Sequence, residues 1–160
     1  MYEFAPDDMR SVEAHYPTMD TEEIKGYLVA KGVRVAPDAI LFLWATAPKL
    51  EEALEVMHAW GFRYRTNMTW VKDGIGTGIW FRGKHELLLL GVRGSPRPPA
   101  PADRPPSVLE APRGEHSEKP EAAYEIIERM TPGARRIELF ARRRRPGWDA
   151  LGLELGPAQA

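Results

Sequence analysis

Two continuous apolar runs constrain this chain most: "AILFLWAT" at 39–46 and "HELLLLGV" at 85–92. Each is too short for a core helix. Neither alternates with polar residues, so both read as strands covered on two faces. Pro37 and Pro48 bound the first run. A third strand is expected at 136–140, within "RRIELFARRRRPGW", and a fourth at 62–71, where Phe62, Tyr64, Met68 and Trp70 alternate with polar neighbours. Helices are expected between them. "TEEIKGYLVA" (21–30) carries Glu22 and Glu23 in its first turn, where the helix dipole favours acids. A second helix over 48–60 starts after Thr46 as its cap and stops at Gly61; a third spans 119–130. Alternating helices and buried strands imply an α/β three-layer fold with a mostly parallel sheet. In such sheets ligands gather at the carboxyl ends of strands, where Thr46, the loops after Val71 and Val92, and Arg142 to Arg145 all fall.

The 160 residues fit one domain, assigned to 1–155 with a tail at 156–160. Seven prolines in "SPRPPAPADRPPSVLEAPRG" (95–114) mark an exposed irregular loop within it. The chain has no cysteine, which excludes disulfides, thiolate nucleophiles and Cys-ligated metals. Its four histidines (His15, His58, His85, His116) show no metal-ligand spacing, so no metal is expected. No apolar run reaches the ~20 residues of a membrane span. The N-terminus is acidic where a signal peptide is basic, so a cytoplasmic protein is expected. Net charge is −1, but residues 1–23 hold seven acids and one arginine, and residues 135–145 hold six arginines. That asymmetry suits either an anionic ligand near the C-terminus or a solvated face.

Five segments in order resemble the MT-A type adenine N-6 methyltransferases of bacteria, phages and eukaryotes. They are "EAHYPTM" (13–19), "LFLWAT" (41–46), "TWVKDGIGTGIWFRGKHELLLLGVRG" (69–94), "HSEKPEAAYEIIERMTPGARRIELFARRRRPGWD" (116–149) and "LGLE" (151–154). The resemblance implies a Rossmann-like methyltransferase fold with permuted motif order, in which "RRIELFAR" is the cofactor strand. The implied cofactor is S-adenosylmethionine. By the same resemblance Lys119 meets its carboxylate as a point charge, with His116 and Ser117 in the same loop. Arg142 hydrogen-bonds the ribose, and Glu154 sits near the adenine. Leu153 stands where the family has Asn, which removes two amide hydrogen bonds from that end. Tyr16 resembles a substrate-loop tyrosine that contacts the target adenine. Lys72 and the glycines at 74, 76 and 78 are candidates to move over the substrate, and Arg144 to bind phosphate. His85 and Glu86 start a strand in the pocket region. Trp44, Trp60, Trp70, Trp80 and Trp148 read as core or loop anchors, with Trp80 the one candidate for base stacking.

The implied function is methylation of adenine in nucleic acid, DNA being favoured over RNA. The target base is flipped out or single-stranded. Members of the family carry an Asp-Pro-Pro-Trp motif whose carboxylate accepts the adenine amino hydrogens. This chain has none, and begins "MYEFAPDD" where a full-length member has just completed it. The strand bearing the motif is therefore expected before Met1, no catalytic residue is assigned within the chain, and the chain by itself is expected to be inactive. Asp7 is the nearest internal carboxylate, without the Pro-Pro that follows the family's aspartate. A non-catalytic subunit that binds nucleic acid or a partner is the alternative function.

Overall fold

The computed structural model describes residues 19–115, 118–152 and 155. They fall into two compact units, Met1–Arg97 with Pro106–Pro120, and Pro98–Pro105 with Glu121–Ala160.

Among the described residues the first unit opens with helix α1 (Thr21–Ala30), fixed at its start by a reciprocal cap. The Asp20 carboxylate accepts the Glu23 amide at 2.8 Å, and the Glu23 carboxylate accepts the Asp20 amide at 2.9 Å. Strand β1 (Ala39–Ala45) leads through a single 3₁₀ turn (Ala47–Lys49) into α2 (Leu50–Ala59). Thr46 makes no side-chain cap here, because that turn comes between it and the helix. Gly61, at φ 82°, ends the segment in a backbone region that suits glycine. Trp60 pins α2 to α1 by donating its indole N–H to the carbonyls of Ile24 and Lys25 at 3.1 and 3.2 Å.

Strands β2 (Arg63–Val71), β3 (His85–Arg93) and β4 (Val108–Glu110) complete a sheet of order β1-β3-β2-β4. The two long pairings, β1 with β3 and β2 with β3, are antiparallel; the short β2–β4 pairing is parallel. The mostly parallel sheet expected from the sequence is therefore corrected to a mixed one. Apolar runs report that both faces of a strand are covered, not which way its neighbour points.

Register sorts the side chains. Trp44 opposes Leu88, which opposes Met68, and Trp70 opposes Glu86, so these five share one face. A bulge between Tyr64 and Thr66 breaks the alternation and leaves Tyr64 out of that set, 40% exposed. Helix α2 covers the opposite face. Met57 packs so close to Gly91 that a Cβ there would lie 2.8 Å from its sulfur. Met57 and Leu89 are fully buried, and truncating either to Ala costs about 2–5 kcal/mol.

In the second unit α3 (Glu121–Met130) is followed by β5 (Arg136–Leu139) and β6 (Trp148–Leu151), a parallel pair. Strand β5 stops one residue early, because Phe140 adopts a left-handed backbone at φ 58°. The chain then returns to β6 through the Ala141 amide, which donates to the Leu151 carbonyl at 2.8 Å. Gly152 is required by this approach, since a Cβ would fall 2.0 Å from the Ala141 oxygen.

The proline-rich stretch also needs correction. It holds a 3₁₀ turn (Pro101–Asp103) and the strand β4, formed where "SVLE" runs free of proline. Among the described residues strand β4 is an edge, so the prolines around it interrupt no described ladder on its outer side.

Candidate functional site

Where β2 ends and β3 begins, the shared face carries a charged cluster. Glu86 is only 9% exposed, and its carboxylate accepts from Lys119 Nζ at 2.9 Å and lies 3.5 Å from Lys72 Nζ. Two indoles form the wall. Lys119 Nζ stands 5.1 Å from the Trp44 ring centre and 5.9 Å from that of Trp70; Lys72 Nζ stands 4.9 Å from Trp70. The rings meet edge to face at 5.8 Å, and Trp70 is fixed by donating its N–H to the Ala111 carbonyl at 2.8 Å. Beside Lys72 an open cleft of about 400 Å³ is lined also by Val71, Asp73, Lys84 and Glu110. Asp73 accepts the amides of Arg113 and Gly74, and the Arg113 amide foremost holds its carboxyl below the usual range.

Among the described residues two ammonium groups share the Glu86 carboxylate, which leaves this pair one positive charge in surplus. The aromatic faces stabilise the cations without neutralising them. Such a set suits one further carboxylate or phosphate. S-adenosylmethionine fits on this ground: it carries a carboxylate, and only one of the three N–H donors of Lys119 is committed to Glu86.

The arginine run is differently engaged. Arg143 pairs with Glu121 at 2.8 Å, and Arg145 pairs with both Glu121 and Glu128, reaching Glu128 through Nε at 2.7 Å. Glu128 also accepts the Trp148 indole N–H at 2.8 Å, and Arg145 lies over the Tyr124 ring at 5.0 Å. These partners hold the Glu128 carboxyl down at about 2, through Arg145 first and Trp148 next. Arg145 in turn is raised by Glu128 and Glu121. Burial first, and then the bond donated to Glu138 at 2.7 Å, pushes the Tyr124 phenol up, so it stays protonated as a donor. The run thus clamps the β5–β6 connection onto α3. Arg142 and Arg144 are exposed in the same segment.

Of the residues singled out from the sequence, the structure brings together Lys72 and Lys119. Arg142 and Arg144 belong to the second unit. Tyr16, His116, Ser117 and Glu154, and also Asp7, lie outside the described residues. Glu86 is the residue whose part the sequence did not convey. The signal was a carboxylate on the same face as Trp70 and Trp44, because a buried charge requires a partner. Among the described residues no His, Cys, Asp and Glu group is placed to hold a metal, and no helix is long and apolar enough to cross a membrane.

Comparison with known proteins defines the class first: the family implicated is one of S-adenosylmethionine-dependent methyltransferases. The MT-A70 family model matches residues 6–154, and the chain belongs to that family. It is 35% identical over 146 residues to the type II methyltransferase M.MunI of Mycoplasma, spanning 91% of this chain and 62% of that protein. It is 32% identical over 154 residues to an N(6)-adenosine-methyltransferase MT-A70-like protein of Arabidopsis thaliana, covering 90% of this chain and 22% of the relative. The human N(6)-adenosine-methyltransferase catalytic subunit METTL3 is 31% identical over 154 residues, 90% of this chain and 26% of its own length. The chain thus spans less than two thirds of these relatives.

Proposed function

We propose that this chain serves S-adenosylmethionine-dependent methylation of adenine in nucleic acid, on a Rossmann-like fold with permuted motif order. The observation that carries the reading is the surplus positive charge of Lys72 and Lys119 around Glu86, in a chain of the MT-A70 family. When bound, S-adenosylmethionine supplies an electrophilic methyl group on a sulfonium. Lys119 takes the cofactor carboxylate as a point charge, and Glu86 positions Lys119 by holding its ammonium against the indole wall. His116 and Ser117 are assigned to the cofactor with Lys119, as the family resemblance implies. Arg142 is assigned to the ribose hydroxyls and Glu154 to the adenine of the cofactor.

Lys72 and Tyr16 are assigned to the target nucleotide, and Arg144 to a backbone phosphate. The methyl transfer needs positioning and preorganised charge rather than a metal. DNA is the proposed carrier of the adenine, favoured by the higher identity to the Mycoplasma type II methyltransferase than to the adenosine methyltransferases.

The test is incubation of the chain with methyl-labelled S-adenosylmethionine and adenine-containing DNA or RNA, with N6-methyladenine read by mass spectrometry. The 160-residue chain alone is expected to bind cofactor and leave adenine unlabelled, because its sequence has no Asp-Pro-Pro-Trp; with a segment carrying that motif supplied, label in adenine, greater with DNA, is the expected result. Binding of cofactor and nucleic acid without label even then moves the chain to a non-catalytic binding role. Binding of neither contradicts both readings.

A further inference from the structure

The segment 72–84 joins β2 to β3 and carries the largest exposed aromatic surface described in the molecule. Trp80 and Phe81 are each 92% exposed and Ile79 is 80% exposed. Residues of this kind at the tip of a slack loop can fold back onto their own stem. Here the stem is closed. The Lys72 amide donates to the Lys84 carbonyl at 2.8 Å, the Gly76 amide to the Gly83 carbonyl at 2.6 Å, and Arg82 Nε to the Gly76 carbonyl at 3.2 Å.

Two glycines allow this closure by having no Cβ. One on Gly76 would lie 2.9 Å from the Gly83 oxygen, and one on Gly78 would lie 2.0 Å from the Phe81 oxygen. The glycines expected to let the loop swing instead pack it into a stalk that holds the aromatic tip out in water.

The chemistry around the tip narrows what it meets. Arg82 follows it directly, Lys84 stands lower, at the base of the stem, and both are exposed. The one acid in the segment, Asp73, sits at its base and is occupied by two backbone amides. The tip is therefore aromatic and cationic with no anion of its own. The stalk also leaves the sheet at the candidate site, since Lys72 is its first residue and Glu86 follows its last by two positions.

We propose that Trp80 and Phe81 form a stacking platform for unpaired bases of the bound nucleic acid, while Arg82 and Lys84 take the adjoining phosphates. Flat rings accept any base by its π-face, and cations track the backbone, so this contact is tolerant of sequence. It deepens the nucleic-acid reading given above and rests on it. It adds that the platform grips strand already open beside the target adenine, which lowers the cost of bringing that base out of a stack.

The test is fluorescence anisotropy of the 160-residue chain with end-labelled single strands of about 12 nucleotides, as DNA and as RNA, across a salt series. The variant Trp80→Ala/Phe81→Ala is expected to bind about 30-fold or more weakly with an unchanged salt slope. Trp80→Tyr/Phe81→Tyr should restore binding to within about threefold, because tyrosine keeps the π-face. Arg82→Ala/Lys84→Ala should lower the salt slope by about 1.4 units, roughly 0.7 per lost phosphate contact on a single strand. Thermal melting verifies that each variant is folded, as the 92% exposure of both rings requires.

Unchanged nucleic-acid affinity of the double alanine variant, in a chain that still binds S-adenosylmethionine, overturns the platform and leaves the functional reading standing. A wild-type chain that binds neither nucleic acid nor S-adenosylmethionine removes both. Sedimentation showing a wild-type dimer that becomes monomeric in the double alanine variant, with nucleic-acid affinity intact, overturns the platform in favour of a protein contact.

Discussion

Two clusters of basic residues among the described residues differ in their count of carboxylates. On the sheet face, Lys72 and Lys119 share the single carboxylate of Glu86. In the second unit, Arg143 and Arg145 meet two, Glu121 and Glu128. The arginine run is the more conspicuous in sequence, yet these two of its charges are internally matched and hold the strand connection to α3. The lysines lie 47 positions apart in the chain and, among the described residues, leave one positive charge unmatched. Density of charge in sequence is thus a poor guide to where an anion binds. What decides is the balance of charge once the fold has assembled its neighbours.

Breaking the lysine cluster should have the larger cost. Glu86→Gln leaves two ammonium groups facing each other across a largely buried amide. It should lower unfolding free energy by about 2–3 kcal/mol, below the full cost of breaking a buried pair because both lysines keep some solvent. The same change at Glu121, which is half exposed, should cost under ~1 kcal/mol. Urea denaturation of the two variants compares them directly, and equal losses would erase the distinction between the clusters.

Arg145→Ala should come next, at about 1–2 kcal/mol, since it removes charge-assisted bonds to two glutamates and the cover over Tyr124. Affinity for S-adenosylmethionine should stay within about twofold, a change well under 1 kcal/mol. A large loss of cofactor affinity with little change in stability would assign Arg145 to binding rather than to the clamp.

A pH scan gives the smallest effect and isolates the clamp. Glu128 is lowered from 4.5 to about 2 in the folded protein. A carboxylate depressed on folding adds stability that is full above its unfolded value and is lost as pH falls through the folded one. Melting temperature should therefore hold steady above about pH 5 and decline from about 4.5 towards 2. In Glu128→Gln that part of the decline should be missing. An identical pH profile in the variant would mean that the Glu128 pairing carries no stability.

Much of the fold was legible in the sequence because it rests on local chemistry. Apolar runs of strand length became β1 and β3, and Thr21–Ala30 is the helix its acidic first turn announced. The direction of strand pairing was not legible, because it depends on which ladder wins between segments that are equally apolar. Strand β4 was concealed by flanking prolines, and β6 by a turn-like "RPGWDAL". At the site, Lys119 was accessible through resemblance and Lys72 through its place before the glycine-rich loop, but Glu86 read, with His85, only as the start of a strand in the pocket region. Its importance appears only when register puts it beside Trp70 and Lys119 reaches it from 33 residues away. Within the arginine run, four identical residues gave no hint that Arg145 faces α3 while Arg142 and Arg144 lie exposed.

The central claim is that Lys119, positioned by Glu86, receives the carboxylate of S-adenosylmethionine. Its most direct test is calorimetric titration of wild type and Lys119→Ala with S-adenosylmethionine and with decarboxylated S-adenosylmethionine, which lacks only that group. The account predicts that wild type prefers the intact cofactor by about 10–100-fold, equivalent to about 1–3 kcal/mol for a bond to a charged group. Lys119→Ala should bind the two compounds nearly equally, because ligand and residue then contribute through one shared interaction. Undiminished preference for the intact cofactor in Lys119→Ala would contradict it and place the carboxylate elsewhere.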